Sequence, residues 1–150
     1  MMTVNEAIET LRYGGLRVRT ALWLLPIQEL TNPADKAARL GISWADARQP
    51  ILNTIVPEQH FLQLGLKELL EALDSLCSDH KATDCLLIAN WDLLVAKLGS
   101  NDRKEMWEIL YSRFPHRPRS LILIIPEDAY DLLPSERQLA AWEKEGRLAR

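Results

Sequence analysis

Apolar residues along this chain fall into two arrangements: short continuous runs, and positions spaced by threes and fours. The first suits buried strands and the second amphipathic helices. Residues 3–12 (TVNEAIETLR) predict a short helix, with Thr3 as its cap, Glu6 completing a capping box and Gly14-Gly15 as its stop. Arg17–Leu25 (RVRTALWLL) alternates and then turns solidly apolar, which predicts a buried strand ended by Pro26. Asn32 and Pro33 predict the start of a helix over ADKAARL, with Asn32 as cap and Gly41 as its close. Ile42-Ser43-Trp44 then reads as a short edge strand.

Residues 45–57 show no clear period, and Pro50 and Pro57 argue against a long element there. From Glu58 to Ser78 the stripe Phe61, Leu62, Leu66, Leu69, Leu70, Leu73 and Leu76 predicts one long helix. Asp84–Ala89 (DCLLIA) is an apolar run typical of a central parallel strand. Ser100 is expected to cap a helix that buries Met106, Trp107, Ile109 and Leu110 and ends before Pro115. Leu121–Ile125 (LILII) is the clearest strand, and Glu127–Leu133 and Ser135–Glu145 read as closing helical segments. This alternation predicts a single α/β domain over residues 1–150, three-layered, with a mainly parallel sheet of four or five strands and right-handed crossovers.

The order of elements is P-loop-NTPase-like, but the phosphate loop is degenerate. Such a loop needs glycines after the first strand so that backbone N–H groups can turn around phosphates, then a lysine and a magnesium-binding hydroxyl. Here the segment is Pro26 to Ala37 (PIQELTNPADKA). Lys36 stands where the lysine would be. Glycine is absent, Pro33 lacks a donor, Ala37 lacks a hydroxyl, and Glu29 and Asp35 repel phosphate. At the end of the next apolar strand an acid should hold magnesium. Ala89 or Asn90 takes that place, and Asp92 comes slightly late, where a first-turn helix role suits it better. Lys36, Asn90 and Asp92 therefore mark a vestigial nucleotide site, and neither hydrolysis nor a cofactor is expected.

The stretch CLLIANWDLL, a following helix, LILIIP and the closing WEKEGRLA together resemble the BrxF family, small P-loop proteins of BREX phage-exclusion systems. The likeness covers the layout of about residues 20–148, through short motifs, and the chain departs from the family in its glycine-free loop. The resemblance implies a structural or regulatory part in a defence assembly, without ATP turnover.

Charge adds a second line of reading. The net charge of −3 does not suit a protein that coats nucleic acid with its whole surface, yet it allows a local basic patch. Arg113, His116, Arg117 and Arg119 lead into the last long strand, while Arg12, Arg17 and Arg19 lead into the first. In a P-loop-like sheet these strands are neighbours, so the arginines should converge on the edge formed by the strands' N-terminal ends. Such a patch suits DNA or RNA backbone, or an acidic protein surface; a solvated edge with local ion pairs is the plainer account. Glu127, Asp128 and Asp131 gather at the opposite edge, as candidate metal or acid–base groups or as helix-start residues.

Five tryptophans are many for 150 residues. Trp23, Trp91 and Trp107 fall on expected core positions, which leaves Trp44 and Trp142 as interface anchors if they are exposed. Cys77 and Cys85 read as buried thiols of a reducing compartment, and His60, His80 and His116 show no metal-site spacing. With no signal-like N-terminus and no apolar run near the ~20 residues that span a bilayer, a cytoplasmic protein without membrane contact is expected. The leading functional expectation is a non-catalytic subunit that binds a larger protein partner in a bacterial assembly such as an antiviral complex. The alternatives are a nucleic-acid-binding accessory using the arginines and a metal-dependent hydrolase using Asp92, Glu127 and Asp128.

Overall fold

A computed structural model describes residues 2–53, 64–78 and 83–150. Its centre is one sheet of five strands, β1 (Thr20–Leu25), β2 (Ser43–Asp46), β3 (Cys85–Ala89), β4 (Ser120–Pro126) and β5 (Leu148–Ala149). They lie in the order β2-β3-β4-β1-β5, and every pairing is parallel. The sheet is thus all-parallel rather than mainly so, with the expected adjacency of β1 and β4, Thr20 level with Leu121.

Strand alternation divides the core in two. Leu22, Leu24, Leu86, Ile88, Leu121 and Leu123 point to one face. That face is covered by α3 (Gln49–Leu52), α4 (Leu66–Cys77), α5 (Trp91–Val95), α6 (Ser100–Ser112) and α7 (Glu136–Lys144). Ala21, Leu25, Cys85, Leu87, Ile122 and Ile124 point to the other, beneath α1 (Val4–Tyr13) and α2 (Pro33–Leu40). β3 and β4 are buried throughout, as parallel strands covered on both faces require. The result is a three-layer α/β fold.

Several local expectations hold. Thr3 and Glu6 form the capping box of α1, and Gly41 closes α2 in the left-handed conformation, φ 68°. Others need correction. β1 begins at Thr20, so Arg17 and Arg19 lie in the approach to it. Asn32 precedes α2 but is itself left-handed, φ 56°, and its side chain makes no cap bond. The long helix is interrupted: Gly65 has extended backbone and α4 begins only at Leu66; the expected turns containing Phe61 and Leu62 lie outside the described residues. Gly99, not Ser100, caps α6. Glu127–Leu133 is a series of turns rather than a helix. One turn is tied down where the indole N–H of Trp107 donates to the Leu132 carbonyl, 2.8 Å. α5 carries Asp92 in its first turn, as expected, whereas β5 was not expected from the pattern.

Candidate functional site

In a parallel sheet all strands begin at one edge, the amino edge, and end at the other, the carboxyl edge, where open α/β sheets usually bind ligands. At the carboxyl edge the loop after β1 starts with a single 3-10 turn, Ile27–Glu29, and reaches α2 through Asn32. Lys36 does not point outward to meet phosphate. Its ammonium donates to the Thr31 carbonyl, 2.6 Å, so the residue that would reach a nucleotide instead braces its own loop.

Asn90 ends β3 in the left-handed conformation, φ 65°, and Asp92 falls in the first turn of α5. Burial pushes the Asp92 carboxyl above its ordinary pKa, opposed by its own and Leu93's N–H and by Arg48. The Arg48 guanidinium grips Asp46 at 2.8 Å and draws that carboxyl below its usual range, with Asn90 helping. Asn90 and Asp92 thus lie with Asp46 and Arg48 in a small polar cluster at the carboxyl ends of β2 and β3, in which Arg48 pairs with Asp46. Among the described residues no three His, Cys, Asp or Glu side chains approach closely enough to hold a metal ion. Asp92, Glu127 and Asp128 therefore do not make the cluster a metal-dependent hydrolase needs.

The amino edge gathers the arginines, and most of them act inside the chain. Arg117 pairs with Asp74 near the C-terminus of α4, 2.6 Å, and Arg12 pairs with Asp84, 3.0 Å. A guanidinium nitrogen of Arg19 donates to the Arg117 carbonyl, and Arg119 reaches the Leu76 carbonyl at 3.4 Å. His116 contacts the Arg17 carbonyl through Nδ1, 3.2 Å. These bonds fasten the segments before β1 and β4 to each other and to the end of α4. Arg17 and Arg113 are exposed and take part in no ion pair among the described residues.

The two tryptophans proposed as anchors part company. Trp44 lies on β2, the edge strand, and is 42% exposed. Trp142 is fully buried, which removes it as a partner contact. Its ring is covered by the Arg147 guanidinium, 4.5 Å away, and meets Tyr111 edge-on at 5.4 Å. Arg147 is 2% exposed and is the residue that sequence reasoning missed. It donates to the carbonyl and hydroxyl of Thr20, both 2.8 Å, to the Leu110 carbonyl, 3.2 Å, and to Glu145, 2.7 Å. The Thr20 hydroxyl in turn donates to the Leu110 carbonyl, 2.5 Å. Burial lowers the pKa of this guanidinium while Glu145 opposes the shift.

Cys77 and Cys85 are free and buried on opposite faces of the sheet, and burial pushes both thiols up to about 11. His60 and His80 lie outside the described residues.

Around the β2 corner lies a groove of about 500 Å³ lined by Arg48, Ile51, Leu52, Leu64, Leu93 and Lys97, among others. Leu52 and Leu93 are 52% and 45% exposed. With Trp44 on the other face, the β2 side presents large apolar groups on both faces of a strand that has no outer partner among the described residues. Among the described residues no helix is long and apolar enough to cross a membrane. No protein-family model, curated protein or solved structure matches this chain.

Proposed function

We infer that this protein is a non-catalytic, degenerate P-loop-like subunit that binds a larger protein partner through the β2 side of its sheet. The observation that carries the reading is Trp44, a large aromatic left 42% exposed on the edge strand. Tryptophan is enriched among residues that dominate binding energy, and an unpaired strand edge offers main-chain hydrogen bonds to an incoming chain. The half-exposed Leu52 and Leu93 extend the same side.

The non-catalytic part rests on the loop after β1. Lys36 is engaged by Thr31, and the exposed Glu29 and Asp35 add negative charge to the same loop and helix start, which opposes phosphate. Placement of β4 beside β1 agrees with a P-loop-like ancestry, and the likeness to the BrxF family suggests antiviral defence as the setting. Titration with Mg-ATP tests the first half: no heat of binding is expected, and Lys36→Ala should change nothing. Measurable affinity lost in Lys36→Ala would overturn it. Purification of tagged protein from its own cells tests the second half. A stoichiometric partner that survives nuclease treatment and disappears with Trp44→Glu is expected.

A nucleic-acid accessory is the second reading. It is favoured by the exposed Arg17 and Arg113 and weakened by the internal engagement of Arg19, Arg117 and Arg119. Duplex binding that vanishes in the double variant Arg17→Glu, Arg113→Glu would establish it.

A further inference from the structure

The two central strands, β1 and β4, lie side by side, and the segments before and after them differ in the sign of their charge. The segments leading in, residues 12–19 and 113–119, hold Arg12, Arg17, Arg19, Arg113, Arg117 and Arg119 and no acid. The segments leading out, residues 26–37 and 127–135, hold Glu29, Asp35, Glu127, Asp128 and Asp131 against one base, Lys36, whose ammonium is turned back onto the Thr31 carbonyl. The sheet lies between: the seven residues of β4 span roughly 23 Å at about 3.3 Å per residue. That exceeds the Debye length of about 8 Å at physiological salt, so the two ends present separate fields of opposite sign.

Helix dipoles account for part of this pattern. Asp35 stands in the first turn of α2, and Arg113 caps the end of α6. They do not account for Glu127, Asp128 and Asp131, which lie in turns, or for Arg17, which belongs to no helix. All five carboxylates of these two segments are exposed, and none joins an ion pair among the described residues. At the amino edge the pairs with Asp74 and Asp84 neutralise Arg117 and Arg12, while Arg17 and Arg113 join no ion pair among the described residues. Each end also bears large exposed apolar groups: Tyr13, 79% exposed, beside Arg12 at one, and Ile27, 65%, and Tyr130, 80%, among the acids at the other.

We propose that the occupant of the amino edge is the carboxyl edge of a second copy of this chain, so that copies associate head to tail along the strand direction. Arg17 and Arg113 meet Glu127, Asp128 and Asp131, with Tyr13, Ile27 and Tyr130 giving the contact its apolar centre. A contact between two different surfaces of one molecule makes a ring if its rotation closes and a filament if it does not. The β2 side stays free, so an array of copies would display several partner-binding edges at once. This association does not depend on the partner reading above.

Sedimentation of the purified full chain over a range of concentrations and salt is the test. Concentration-dependent association is expected at low salt, weakening as salt rises. Reversing one end, by Arg17→Glu with Arg113→Glu or by Glu127→Lys, Asp128→Lys and Asp131→Lys, should weaken it by about tenfold or more. An equal mixture of the two reversed proteins should associate again, because each now offers the end the other needs. Circular dichroism melts show that each variant is folded. A wild-type chain that stays monomeric at low salt overturns the proposal. So does association untouched by reversal, or a mixture that fails to recover. Arginine-dependent duplex binding without self-association would assign this edge to nucleic acid instead.

Discussion

Trp44 and Trp142 looked alike in the sequence, two aromatics outside the obvious core, and the structure puts them to opposite uses. At the β5 side, the other edge of the sheet, buried bonds hold the strand in place. Arg147, just before β5, ties the chain end to the first residue of β1 and to the end of α6, and its guanidinium covers the indole of Trp142. At the β2 side no further strand pairs with β2 among the described residues, and Trp44, Leu52 and Leu93 remain half exposed. A buried cation needs its hydrogen bonds supplied by the fold, and Thr20, Leu110 and Glu145 supply them. No comparable bonds cover the exposed face of Trp44 among the described residues. One edge is therefore built for stability, and the other is available for contact.

The largest effects should come from the β5 edge. Trp142→Ala removes a fully buried ring and should cost about 4 kcal/mol in denaturant unfolding. Arg147→Ala should cost about 3 kcal/mol, since it takes away the buried donor to the Thr20 carbonyl and the guanidinium that covers Trp142; Arg147→Lys should recover part of this. A loss below about 1 kcal/mol in both would break the comparison.

Trp44→Ala should cost less than about 1 kcal/mol, as surface changes do, yet remove partner binding. The smallest effect belongs to Asp92. Its folded pKa is raised, so the folded state holds the proton more tightly and stability falls as pH rises from the ordinary carboxylate range through the raised value. Asp92→Asn removes that loss and should raise Tm slightly near neutral pH. Below both pKa values wild type and variant should melt together. A lower Tm for Asp92→Asn at neutral pH would show that the carboxylate is needed charged.

What the sequence revealed follows from how local each signal is. Thr3 and Glu6 cap a helix from three residues apart, and LILII needs both faces covered whatever covers them. The glycine-free loop and displaced Asp92 were equally plain, because a phosphate cradle is a local structure. Glu127–Leu133 misled because a proline followed by acids imitates a helix start; the chain turns instead and reaches Trp107, a residue distant in sequence. Arg147 was invisible for the same reason. In sequence it is one more arginine near the end, and only Thr20, 127 positions away, makes it a core residue. β5, with two residues, is too short for any period.

The most direct test of the β2-edge account is a nuclease-treated purification of tagged wild type and Trp44→Glu from the protein's own cells, with both first shown to melt alike. The account predicts a stoichiometric protein partner with the wild type and its loss with Trp44→Glu. A partner retained at the same level by the variant would contradict it.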